Sequence, residues 1–252
     1  MIIISPSKNL NINKEEIRFK FTKPQFQDKS KKLAKLLKSL SLKEIKDLMK
    51  ISDNLANINK DRILNFDNLN NIRKPAVYLF SGGTFDGLSI RKIEKQSYDF
   101  IQEKLRILSG LYGILKPFDE IQPYRLEMGT NTENLFKSSL YTYWRKEISI
   151  HLNNELVETK SKILFNLSSK EYFSVLDEKT IKAKIINFDF KIKKNGEYKN
   201  LGMQIKKLRG AMARYIIERQ IDSEKLLKNF SFESFKFDTV IPQTNTYLYT
   251  TK

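Results

Sequence analysis

Apolar residues recur along this chain at two different spacings, and each spacing predicts its own kind of element. Residues 1–4 are apolar, three of them β-branched, and Ser5-Pro6 ends the run, which predicts a short buried strand. Across 26–40 the leucines stand at 33, 36, 37 and 40, the spacing of one helical face. "SLKE" then sets Ser41 three residues before Glu44, a capping box that opens a second helix through Lys50. "PAVYLF" at 75–80 reads as another buried strand, running into a glycine-rich loop, "SGGTFDGL". Tyr98, Ile101, Leu105 and Leu108 line one side of a helix expected over 92–108. A helix around 141–156 carries the only tryptophan, Trp144, and "KILFNLS" at 162–168 is a third buried strand, followed by a loop and short helix. Two extended runs flank Asn195-Gly196, a hairpin signal. A helix over about 207–220 and two strands, "FKFDTV" and "TYLYT", complete the pattern. No repeat or linker interrupts it, and the strands do not alternate regularly with helices. The expected architecture is one α+β domain over 1–252, a mixed sheet surrounded by helices.

Composition narrows the chemistry. The absence of cysteine excludes disulfides, thiolate metal sites and a cysteine nucleophile. With His151 the only histidine, a multi-histidine metal site or a Ser–His triad fits poorly, so no metal or cofactor is expected. His151 falls on the 141–156 helix, in a surface or packing role. No window approaches the ~20 apolar residues of a membrane span, and the apolar start has no basic leader, so the cytoplasm is the expected location. The net charge of +17 favours polyanionic partners, and nucleic acid, an anionic membrane surface or a phosphorylated substrate would each fit. Lysines at 29, 31, 32, 35, 38, 43, 46 and 50 give the first two helices a basic face, which also suits simple solvation.

Several segments gather polar groups. "ISPSK" puts Ser5, Ser7 and Lys8 just after the first strand. "NLSSKEY" does the same after another, with Asn166, Ser168, Ser169, Glu171 and Tyr172. Ligand sites of α/β sheets lie at such strand ends, and the two exits could meet at one cleft. Neither segment matches a glycine-rich phosphate loop. "PYRLEMG" carries Tyr124, Arg125 and Glu127; the charged pair fits either an internal ion pair or a phosphate holder beside a general acid or base. On the helix near the C-terminus, Leu208, Ala211, Met212, Tyr215 and Ile216 share an apolar arc, while Lys206, Lys207, Gly210 and Arg214 lie opposite. Gly210 would let a phosphate or another backbone come close. "LSGLYGILKP" at 108–117 fits either a helix stop with a tight turn that the core needs or a helix-hairpin-helix, with Gly110 just past a helix and Gly113 in the turn, baring backbone N–H groups to a DNA phosphate. Its glycines are three apart, where such hairpins usually have them two apart.

"ISPSK", "KISDNLANIN", "LRILSGLYGILKPFDEIQPYRLEMG", "LYTYWR", "NLSSKEY" and "KKLRGAMARYIIERQ" follow one another in an order that resembles the YaaA family of bacterial peroxide stress proteins, from the first residues to about 220. The resemblance implies a cytosolic protein that limits the iron-driven damage of peroxide stress. It implies a family-specific fold with a basic cleft and a helix-hairpin-helix, and binding of duplex or branched DNA with little sequence preference, in association with repair. A monomer is expected. The DNA-contacting residues would be Arg106, Ser109, Gly110, Leu111, Tyr112, Gly113 and Lys116 in the hairpin, with Lys8, Arg125, Lys206, Lys207, Arg209 and Arg214 along the cleft. The rival expectation is an enzyme acting on damaged nucleic acid or a nucleotide, with Lys8 as an amine nucleophile and Glu127 or Glu171 as acid or base. Two departures stand out: Gly82-Gly83-Thr84-Phe85 replaces the family's usual G-D-V-Y, and Ser7 replaces an alanine.

Overall fold

The computed structural model describes every residue except Arg18, Asn195, Gly196, Met203 and Lys252. In chain order, β1 (Ile2–Ile4) and β2 (Asn9–Leu10) precede three helices, α1 (Gln27–Lys38), α2 (Leu42–Met49) and α3 (Asp53–Leu64). β3 (Lys74–Pro75), α4 (Ala76–Leu79), β4 (Phe80–Ser81), α5 (Gly83–Leu88) and α6 (Tyr98–Lys104) lead to β5 (Leu105–Ser109) and β6 (Gly113–Leu115). Then come β7 (Glu120–Ile121), α7 (Glu133–Phe136), the long α8 (Leu140–Glu158), β8 (Ile163–Leu167) and α9 (Lys170–Phe173). β9 (Lys184–Lys194), β10 (Glu197–Asn200), α10 (Gln204–Glu218), β11 (Ser231–Phe232), β12 (Phe235–Ile241) and β13 (Thr246–Thr251) complete the chain.

The main sheet of the described residues has nine strands, ordered β11-β12-β13-β9-β8-β1-β5-β6, with β10 also on β9. Its centre is parallel, β1 lying between β5 and β8, and its margins are antiparallel. The architecture is therefore α+β with a mixed sheet, as the pattern predicts. Ile2, Ile3 and Ile4 are all buried because a central parallel strand is covered on both faces. β1, α1, α8, β8, α9, β12 and β13 form where their patterns place them. The capping box is present: Ser41 accepts from the Glu44 backbone and Glu44 accepts from the Ser41 backbone. β9 and β10 pair antiparallel around Asn195-Gly196, whose turn lies outside the described residues.

Four expectations are corrected. "PAVYLF" is mainly the one-turn helix α4 between two-residue strands, and "SGGTFDGL" is not a loop but contains α5. The helix over 92–108 ends at Lys104, and Leu105–Ser109 is a strand. Every residue of that strand is buried, so Leu105 and Leu108, three apart by chance, satisfied a helical pattern while the continuous burial belongs to a sheet.

The helix-hairpin-helix at 108–116 is the fourth correction. The segment is a β-hairpin, β5 pairing antiparallel with β6 from Ile107↔Leu115 to Ser109↔Gly113. Ser109, Gly110, Leu111, Tyr112 and Gly113 are all buried. Gly113 turns the chain at φ +75°, and a Cβ there would press into the Trp144 ring. A Cβ on Gly110 would overlap the Leu126 carbonyl. Both glycines therefore serve close packing in the interior and bare no N–H to a partner. A helical hairpin does occur elsewhere: α2 and α3 are joined by Lys50, Ile51 and Ser52, with Lys50 left-handed and Ser52 capping α3.

Candidate functional site

The C-terminal ends of β1 and β8 lie side by side, Ile4 opposite Leu167. The two polar exits therefore meet. Ser5 Oγ accepts from the Ser169 backbone N–H at 2.8 Å, and the two hydroxyl oxygens are 3.3 Å apart. Ser169 in turn caps α9, its Oγ accepting from the Tyr172 N–H. Asn166 ties the β8 exit, its Oδ1 accepting from the Ser168 N–H and hydroxyl.

These exits form one wall of a cavity of about 420 Å³. The 123–129 segment forms a second. Its position depends on the β5–β6 hairpin: Ser109 Oγ and Tyr124 Oη are 2.6 Å apart, and Gly110 lies against the Leu126 backbone. Trp144 Nε1 donates to the Gly110 carbonyl at 2.9 Å. The glycine motif thus stands behind the site as its support. Arg125 Nη2 donates to Glu127 Oε1 at 3.0 Å, and Lys8 Nζ meets Glu127 Oε2 at 2.6 Å. One carboxylate holds two cations from different segments. Glu171 Oε1 accepts from the Gly129 N–H at 3.0 Å. Burial pushes the Tyr172 hydroxyl's pKa far up, so it stays protonated.

The third wall comes from α5 and α10. Gly210 is buried, and a Cβ there would overlap the Thr84 carbonyl of α5. Of the two possibilities for Gly210, another backbone is the one realised. This close crossing brings Lys206 and Arg209 to the cavity beside Gly82, Gly83 and Thr84. Burial lowers the Arg209 pKa below that of an ordinary arginine, with the charge of Asp189 opposing. The Nε atoms of Arg125 and Arg209 are buried with no hydrogen-bond partner among the described residues. Four cations, Lys8, Arg125, Lys206 and Arg209, line the cavity against two carboxylates, Glu127 and Glu171, a formal surplus of two positive charges. Buried donors left without acceptors are costly and favour an anion that would engage them.

The other proposed contacts lie outside the cavity lining. Arg106 is buried and bidentate on Glu155, Nε to Oε2 and Nη2 to Oε1, each at 2.7 Å. Lys116 and His151 approach the same carboxylate at 3.4 and 3.5 Å. Lys207 pairs with Glu233 at 2.8 Å, and Arg214 with Glu218 at 2.6 Å. Tyr112 Oη accepts from the Gln122 N–H, and Leu111 is core. Arg62, on α3, escaped the sequence reading. Its pKa is lowered by burial and by the like charge of Arg125, which brings α3 into the field of the cavity. Arg62 Nη1 donates to Oδ1 of the buried Asn59, three residues earlier on the same helix. Among the described residues no cluster of three His, Cys, Asp or Glu could hold a metal ion, and no helix is long and apolar enough to cross a membrane.

A family model described as peroxide stress protein YaaA matches residues 1–240. A UPF0246 protein of Flavobacterium psychrophilum is 41% identical over 251 residues, 99% of each chain. One from Legionella pneumophila is 40% identical over 248 residues, 97% of this chain and 96% of its own. Another, from Caulobacter vibrioides, is 39% identical over 237 residues, 94% and 93% of the two chains.

Proposed function

The chain belongs to the YaaA family of peroxide stress proteins, and from that premise we propose that it binds duplex or branched DNA in the cytoplasm through phosphate contacts at the strand-end cavity and its rim. One observation carries the reading: a cavity lined by four cations against two carboxylates, with Lys8 and Lys206 exposed, in a chain of net charge +17. Lys8 and Lys206 are exposed and serve the rim. Exposed Lys32, Lys35, Lys43 and Lys50 give α1 and α2 a basic surface of their own. Such contacts bind without reading sequence. The buried β5–β6 hairpin positions Arg125 and Glu127 and touches no DNA in this reading. The rival role for Lys8 as an amine nucleophile has less behind it, because Nζ already meets the Glu127 carboxylate as a cation.

The test is duplex binding by fluorescence anisotropy across salt concentrations. Neutralising about four phosphates gives a slope of log K against log salt of about −3.6. A slope near zero, or no binding at low salt, would overturn the reading.

A further inference from the structure

We propose that the strand-end cavity holds a dianionic phosphomonoester, the phosphorylated end of a nucleic-acid strand or a free nucleoside monophosphate. The inference rests on the nucleic-acid reading only for the first of these two sources.

Three observations lead there. The first is depth. Arg125 is only 14% exposed, and the Nε atoms of Arg125 and Arg209 are buried. An internal phosphate of a duplex lies on a convex surface with chain on both sides, so it reaches the rim at Lys8 and Lys206 but not these two groups. A strand end, or a detached nucleotide, can enter.

The second is charge. The formal surplus of two matches a phosphomonoester, whose second ionisation lies near pH 6, and exceeds the single charge of an internal phosphodiester. Guanidinium forks match the oxygens of phosphate in paired hydrogen bonds, and the two lysines add point charges. Lys8 sits at the mouth, 54% exposed and paired with Glu127, so it can turn from that carboxylate to an entering anion.

The third is room and polarity. About 420 Å³ exceeds what a phosphate needs and leaves space for a sugar and base. The remaining lining offers the hydroxyls of Ser5, Ser7 and Ser169 and the carboxylates of Glu127 and Glu171. Carboxylates repel a phosphate but accept hydrogen bonds from sugar hydroxyls and base amino groups. Placed beside the cations, they suit the neutral, donor-bearing part of a nucleotide.

The experiment compares three duplex forms of one sequence: ends carrying phosphate, ends carrying hydroxyl, and a covalently closed circle. A parallel arm measures deoxynucleoside monophosphates against the matching nucleosides by calorimetry. The expected result is a phosphate-dependent gain of at least about tenfold in one arm or the other. That gain should disappear in Arg209→Met and in Arg125→Met, each checked for its fold by circular dichroism. If one variant fails to fold, the other carries the test, and phosphate protection of wild-type Lys8 and Lys206 from acetylation replaces both. The arm that responds identifies the source. Equal affinity for phosphorylated and unphosphorylated ligands in both arms overturns the proposal, while binding of the closed circle would leave the DNA reading standing. No binding of any duplex, with tight binding of monophosphates, would remove the DNA reading and support the phosphomonoester.

Discussion

Two arginines show how differently this protein uses the same side chain. Arg106, 2% exposed, gives both sides of its fork to Glu155 and its remaining nitrogen to the carbonyls of Gln102 and Leu105. Arg209 is largely buried too, yet its Nε has no partner among the described residues, and burial depresses its pKa. In the first case a buried charge is matched inside the fold. In the second the fold leaves a buried donor unpaired, in an arginine that lines a cavity with a formal surplus of positive charge. A buried cation with its partner is architecture, whereas one without a matching acceptor points outward to a ligand.

The largest expected effect comes from breaking the satisfied cluster. Glu155→Ala would strand Arg106 in the interior beside Lys116 and His151. Loss of a partner from a buried pair costs about 3–5 kcal/mol. Urea unfolding should show that loss, and a change within about 1 kcal/mol, the range of surface pairs, would make the cluster no different from an exposed ion pair.

A smaller effect separates two carboxylates, Glu155 and Asp119, that share Arg106 and Lys116 as nearby cations. Burial opposes ionisation of Glu155, but hydrogen bonds from His151 and Arg106 hold its pKa well below the ordinary carboxylate value. Its contribution is present above the ordinary value and lost as pH falls. Asp119 goes the other way: burial raises its pKa to about 6, despite hydrogen bonds from the Thr22 hydroxyl and the Lys116 N–H. The native state then holds a proton that the unfolded chain releases, so this group's contribution is present below the unfolded value and lost as pH rises through about 6. The contribution is at most ~3 kcal/mol, at 1.36 kcal/mol per pKa unit. Asp119→Asn should raise the slope of stability against pH between about 4 and 6 relative to wild type. An unchanged difference across that window would mean that Asp119 titrates normally.

The contrast between the two arginines also marks what the sequence could disclose. Lys8, Arg125, Glu127, Glu171, Lys206 and Arg209 were all legible as candidates, because charged residues just beyond a buried apolar run or on a helix's polar side must meet solvent or a cleft. That the polar exits after β1 and β8 could meet at one cleft followed from two buried strands ending in polar residues. Arg106 was read as a phosphate contact, yet it is buried and fully bonded, and the error has a physical reason. A glycine that ends a helix, bares an N–H to phosphate or admits a neighbouring carbonyl looks the same in one dimension. Only the partner decides, and Leu126 and Trp144 lie 16 or more residues away in sequence. Short elements such as α4 and α5 were likewise hidden, since one or two turns show too little periodicity to separate a helix from a strand or loop.

The smallest effect on the fold is the most discriminating. If Arg209 is held for a ligand, removing its charge orphans no internal carboxylate. Methionine keeps much of the apolar stem's packing and removes the cost of a desolvated guanidinium. Arg209→Met should therefore change unfolding stability by less than about 1 kcal/mol, or raise it, since replacing buried charge by apolar bulk is often neutral or stabilising. The same variant should lose affinity for phosphate-bearing ligands. A loss of stability as large as that of Glu155→Ala would place Arg209 with Arg106 as internal architecture, and the distinction between the two regions would fall.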